Sequence, residues 1–285
     1  MYSREGDIMW KEYSDWDIRD GFLHRCYAKG KYIEIPENVR GILPDAFCEA
    51  NIHTLKLPAA LRTIMPAAFR GSQIQNYVLP DNLNRIEANA FAGSAVSSIA
   101  LPKSLVFIGE SAFEGCSDLR QVSFSGRLCA IGGSAFAETG LLHVELDCDY
   151  IGSKAFWKCY NLKKVVLKDS VFINYLAFAE CRKLTQVELN EGLLSIGTCA
   201  FWNCESLKEV YIPDTVNQIG FGSFYGIKHV RIILSETMKD SVFDKGVLQY
   251  SWVPDEYLRR SKDLDHEKVR EITDNAENIV FRKEK

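Results

Sequence analysis

Two cysteines, a tryptophan and an asparagine fall within the six residues Cys199-Ala200-Phe201-Trp202-Asn203-Cys204. Thiolates are nucleophiles and metal ligands, so such a cluster could serve covalent catalysis, redox exchange or metal binding. The rest of the chain offers little to join them. The five histidines, His24, His53, His143, His229 and His266, form neither His-Glu-x-x-His nor His-x-His. The sequence contains no Gly-x-Ser-x-Gly nucleophile elbow and no phosphate-binding loop of the Gly-x4-Gly-Lys type. The nine cysteines are an odd number, contain no Cys-x-x-Cys pair and spread over about 180 residues. That is not the layout of a small disulfide scaffold, and reduced, mostly buried thiols are expected. No catalytic residue, no metal ligand and no cofactor is expected from linear motifs.

The chain as a whole is ordinary. Its 285 residues are 47% apolar and 25% charged, with a formal net charge of −4. A charge this small gives no electrostatic case for nucleic acid. No run of 18 apolar residues occurs, so membrane insertion is not expected. The polar, acidic start lacks the basic and apolar regions of a signal peptide. If Met1 is the native start, a cytoplasmic protein is expected; otherwise a cell-surface or secreted one.

The cluster at Cys199 is one copy of a repeat. Phe201 follows an alanine, as do Phe47, Phe69, Phe91, Phe113, Phe136, Phe156 and Phe178, and Phe224 extends the series. The steps between these markers are 22, 22, 22, 23, 20, 22, 23 and 23 residues. An isoleucine stands five residues before every marker, from Ile42 and Ile64 to Ile196 and Ile219, and glycine follows it in five copies. Leu or Val stands eight residues before the marker in seven copies, with Cys148 and Ser170 as the exceptions. After each marker comes an alternating pair such as Leu55/Leu57, Val122/Phe124, Val187/Leu189 or Val230/Ile232. Alternation puts both members of a pair on one face of a strand.

One copy cannot bury its own apolar face, but stacked copies can, placing Phe on Phe and Ile on Ile along one core. The pattern therefore implies an α/β leucine-rich repeat solenoid, a curved right-handed superhelix. A parallel sheet should line its concave face and short helical turns or loops its convex face. Residues 1–30 should cap the first coil, residues 31–234 form nine to ten coils of about 22 residues, and residues 235–285 form a largely helical cap. Within that cap Val269, Ile272, Ala276 and Ile279 recur at helical spacing.

The consensus Leu-x-x-Ile-Gly-x-x-Ala-Phe-x-x-Cys-x-x-Leu-x-x-Val-x-Leu-Pro resembles the BspA-type leucine-rich repeat family over about residues 31–234. It has Pro where the better-known leucine-rich repeat has Asn. The resemblance implies a bacterial, non-enzymatic protein with a role in adhesion or host contact at a cell surface.

Cys116, Cys159, Cys181 and Cys204 share one position of the repeat and travel with a loop one residue longer. Small thiols packed under that loop are the simplest reading, and a metal or redox ladder is the alternative. Cys199 stands where other copies have Asp45, Asn89 or Ser111, so it should lie nearer the surface and be the better candidate for a reactive thiol. Trp157 and Trp202 hold a variable position, partly exposed, either packed on a neighbouring coil or forming a sticky patch.

The core columns repeat, whereas the residues between them do not. Along the concave face the middle is small and neutral, with Asn76, Val78, Ser98, Ala100 and Ser123. Its C-terminal half carries His143, Glu145, Lys164, Glu188, Tyr211, His229 and Arg231. Tyr and Arg favour binding hot spots, so a protein or peptide partner is expected there, centred near Glu188, Tyr211 and Arg231. His143 beside Glu145 is the nearest approach to a composite catalytic site across coils.

Overall fold

The computed structural model describes residues 15–47, 51–227, 230–235 and 279–282. A hairpin of β1 (Trp16–Arg19) and β2 (Phe22–Cys26) opens the chain. Each coil then contributes one longer and one shorter strand. The longer ones are β3 (Lys29–Glu34), β5 (Asn51–Lys56), β7 (Asn76–Val78), β9 (Ser98–Leu101), β11 (Gln121–Phe124), β13 (His143–Leu146), β15 (Lys164–Leu167), β17 (Gln186–Glu188), β19 (Glu209–Tyr211), β21 (Arg231–Ser235) and β22 (Ile279–Arg282). The shorter ones are β4 (Gly41–Ile42), β6 (Thr63–Ile64), β8 (Arg85–Ile86), β10 (Phe107–Ile108), β12 (Leu128–Ile131), β14 (Cys148–Ile151), β16 (Phe172–Ile173), β18 (Ser195–Ile196) and β20 (Gln218–Ile219).

All pairing between coils is parallel, in keeping with a solenoid. The short strands from β6 to β20 form one unbroken eight-stranded sheet, and β2 pairs with β4 ahead of it. The long strands fall into three blocks, β3 to β11, β13 to β17, and β19-β21-β22. The marker isoleucines sit in register along the short-strand sheet, as Ile108 does with Ile86 and Ile131. The alternating pairs supply the inner face of the long-strand sheet, where Leu55, Val144, Val165 and Val210 are buried.

Between the two sheets runs the phenylalanine column. From Phe47 to Phe224, successive ring centroids are 4.9–5.5 Å apart, and from Phe91 onward the planes lie within 7° of parallel. Such parallel contacts add to the burial of each ring. The glycine after the marker isoleucine has a steric cause. A Cβ at Gly197 would come 2.6 Å from the carbonyl carbon of Asn174, in the coil before it.

The segment around each phenylalanine corrects the helical expectation: among the described residues there is no helix. Residues two before the ring have positive φ in coil after coil, including Asn89 at 58°, Ser111 at 52°, Leu176 at 55° and Cys199 at 55°. So do residues two after it, among them Gly93, Gly115, Glu138, Glu180 and Asn203. A left-handed residue cannot continue a right-handed helix. The chain instead makes consecutive tight turns, as when Arg70 N donates to Ala67 O and Ser72 N to Phe69 O. The left-handed residues free their N–H groups for the next coil. Ala67, Phe69 and Gly71 donate to the carbonyls of Ala88, Ala90 and Ala92 at 3.0, 2.7 and 2.9 Å. Except at the breaks in the two sheets, each coil is thus tied to the next by backbone bonds on three sides, without helices to widen one of them.

Ile279, which the helical spacing includes, begins β22, which pairs with β21. Val269, Ile272 and Ala276 lie outside the described residues.

Candidate functional site

The charged positions of the long-strand sheet are partnered with one another. His143 and Glu145 project from β13, Lys164 from β15 and Glu188 from β17, with His143 in register with Lys164 and Val166 with Glu188. Lys164 Nζ lies 2.8 Å from Glu188 Oε1. Glu145 is bonded by Lys168, which holds its carboxyl below the usual range, while Glu145 raises the Lys168 ammonium in turn. The sequence pattern overlooked Lys168 because it stands just past β15, outside the alternating columns.

The last three site positions are arranged otherwise. Tyr211, on β19, is half exposed. The gap between β17 and β19 separates it from Glu188. Arg231 is in register with Glu209 and ion-paired to it, and Ile233 takes the place beside Tyr211. The alternation of Val230 and Ile232 places Arg231 in the Tyr211 column; the observed pairing is shifted by two residues, which keeps Arg231 on the same face. His229 lies outside the described residues.

A groove of about 810 Å³ opens on the same face where β11 and β13 part. Its floor includes Val122, Phe124 and Leu142, and its margins include His143, Glu145 and Lys168. Lys103 and Arg120 also line it. They stand in the connections just before and after the alternating strands, where the repeat gives no reason to single them out.

The cysteines have structural partners. Cys116, Cys159, Cys181 and Cys204 are fully buried, and their thiols donate to the carbonyls of Phe91, Phe136, Phe156 and Phe178 at 3.0, 3.1, 3.2 and 3.2 Å. Burial pushes the Cys116 thiol up to about 11 and the Cys181 thiol well above its ordinary value. Cys199 is half-buried, and burial raises its thiol to about 11 as well. Its position is a left-handed turn rather than an activated site, so nothing lowers its pKa toward neutrality. Among the described residues no group of three His, Cys, Asp or Glu is placed to hold a metal ion.

On the turn side, Trp157 and Trp202 are half-buried on either side of the fully buried Ala179. Lys158 lies 4.0 Å from the Trp157 ring centroid. Glu180 accepts hydrogen bonds from Asn203 and Arg182 at 2.9 Å each. Burial pushes its carboxyl upward, but these two donors outweigh it and hold the group below its ordinary range. Among the described residues no helix is long and apolar enough to cross a membrane.

A stack of parallel coils with repeating inner columns defines a leucine-rich repeat β-solenoid. The family model described as the BspA type leucine rich repeat region (6 copies) matches residues 40–163 and 149–256, and the chain belongs to that family. Solved structures resemble it at low identity. The pneumococcal vaccine antigen PcpA is 20% identical, with 77% of this chain and 78% of that one covered and a TM-score of 0.46. The leucine-rich repeat protein TpLRR of T. pallidum is 22% identical, with 81% and 92% covered and a TM-score of 0.45. A leucine-rich cell surface protein of Faecalibacterium prausnitzii is 16% identical, with 84% and 96% covered and a TM-score of 0.43. A comparison with curated proteins finds no match.

Proposed function

We propose that the chain is a non-enzymatic module that binds a protein or peptide partner through the outer face of its long-strand sheet, the side read as concave. The contrast between the two faces of each long strand carries this reading. The inner face repeats one apolar pattern, while the outer face changes from coil to coil and offers exposed Tyr32, Val78 and Tyr211 among mixed charges. Stacking enforces sameness inside and leaves the outside free to match a partner. The proposed contact residues are His143, Glu145, Lys164, Glu188, Tyr211 and Arg231, with His229 beside them in sequence. Membership of a leucine-rich repeat family supports a binding role rather than catalysis.

Photo-crosslinking tests the face. The crosslinker p-benzoylphenylalanine is placed at Tyr211 in one preparation and at Arg70, in the turn after the Phe69 ring, in another. Both are exposed to lysate of the source cell and to extracellular-matrix and host-cell proteins. A specific adduct at Tyr211 that is absent at Arg70, and lost when Glu188 and Arg231 become Ala, supports the assignment. Adducts at Arg70 alone overturn it.

A further inference from the structure

We infer that the outer face of the short-strand sheet binds a second copy of this chain, giving a two-fold dimer. The inference goes beyond the partner-binding reading and leaves the long-strand face free. In each short strand the marker isoleucine points into the core, so the residue just before it points outward. From β8 to β18 these outward residues are Arg85, Phe107, Ala130, Tyr150, Phe172 and Ser195, each in register with the next. One position earlier stand Val106, Cys129, Asp149, Val171 and Leu194. Backbone bonds keep this second row aligned, as when Cys129 N donates to Val106 O at 2.8 Å and Leu194 N to Val171 O at 2.9 Å.

The middle of this face is apolar and open to solvent. Tyr150 is 44% exposed, Phe172 43%, Val106 40% and Leu194 37%. Phe107 is half-buried, with the Arg85 guanidinium 4.1 Å from its ring centroid. These side chains make one band across the five adjacent strands β10, β12, β14, β16 and β18. A contiguous apolar band, unlike a scattered exposed leucine, marks a surface made to be covered.

The order of the side chains selects a second copy as the occupant. A two-fold axis parallel to the strands, midway between β12 and β14, reverses the order of the coils in the facing molecule. Phe107 then meets the partner's Phe172, Val106 meets the partner's Val171, and the small Ala130 receives the partner's Tyr150. Ring faces ring, valine faces valine, and the one large side chain left over faces a notch. The band is thus its own complement, as an isologous interface requires. Sheets that pack face to face with aligned strands are a stable arrangement.

The charges favour the same orientation. Inside the band Asp149 is already held by Arg127, so covering it leaves no bare carboxylate. At its edge Arg85 is paired with Glu87 at 2.6 Å. Arg62 and Arg85 stand at the β6–β8 end of the face, whereas Ser195, Asn217 and Gln218 at the β18–β20 end carry no charge. Reversing the coil order lays the arginine end of one copy on the uncharged end of the other. A two-fold axis along the solenoid would instead oppose arginine to arginine, which is costly.

Sedimentation equilibrium of the full chain across a hundred-fold range of concentration tests the inference. A mass rising to that of two chains is expected. Ala130→Lys and Tyr150→Glu, each alone, should weaken the dimer at least ten-fold. Mixed in equal amounts, the two variants should recover it, because the mixed dimer gains one ion pair across the interface and keeps one native contact. Misfolding of either variant cannot mimic that recovery. A monomer at every concentration, a dimer that Tyr150→Glu leaves intact, or a mixture no more dimeric than the separate variants overturns the inference.

Discussion

Phe113 and Phe136 stack with ring centroids 5.0 Å apart and planes 3° from parallel, in the same two coils whose strands β11 and β13 have separated. The core continues where one wall opens. The short-strand sheet and the turn ladder span the same junction, where β10 pairs with β12 and Phe113 N donates to Ala135 O at 2.7 Å. A solenoid tied on three sides can thus open one side without losing its stacking.

The column at this junction should carry much of the stability. Phe136→Ala removes a fully buried ring that touches Phe113 and Phe156. Truncations of this kind cost about 3–5 kcal/mol. Urea unfolding followed by circular dichroism should show that loss, and a second transition should appear if the two halves uncouple. An unchanged midpoint would contradict the assigned role of the column.

The glycine that follows the marker isoleucine should resist even the smallest side chain. Gly197→Ala brings a Cβ to 2.6 Å from the backbone of Asn174. Overpacking of this size costs about 1–3 kcal/mol. Thermal unfolding should register it, whereas Gly133→Ala, whose Cβ would lie 3.4 Å from its nearest neighbour, should be tolerated much better.

Acid should weaken the turn side through Glu180. Its carboxyl is held below the usual value of 4.5, so its stabilising contribution is present above about pH 4.5 and is lost as pH falls through the lower folded-state value. The sign follows from linkage: between about 4.5 and the lower folded-state value the unfolded chain binds the proton and the folded chain does not, so stability falls with pH there. Glu180→Gln should flatten the acid limb of a stability-versus-pH profile. An unaltered limb would remove Glu180 from the acid response.

Thiol labelling should separate the cysteines by environment. Cys129 is exposed, whereas Cys116, Cys159, Cys181 and Cys204 are buried. Iodoacetamide at pH 8, read by mass spectrometry, should modify Cys129 in the native protein and the four core thiols only after unfolding. Cys199 should react slowly, because burial pushes its thiol up to about 11. Rapid labelling of Cys199 would restore it as a reactive site.

The repeat itself was legible in the sequence, because stacking forces the same side chain into the same core position. Nine phenylalanines, nine isoleucines and the alternating pairs announced the solenoid, its period and its inward columns. The same regularity marked the outer positions as those free to vary. The walls were a different matter. Ala67, Asn89, Lys154 and Leu176 share no side chain, yet all adopt the left-handed conformation. What unites them is a backbone bond to the next coil, and such a bond leaves little trace in residue type. Local spacing suggested a helical turn there, and contact between coils selected the turn ladder. The pairing of Arg231 with Glu209 and the parting of β11 from β13 were likewise settled between coils. Composition and period are properties of one coil, whereas register, gaps and charge pairing arise only where two coils meet.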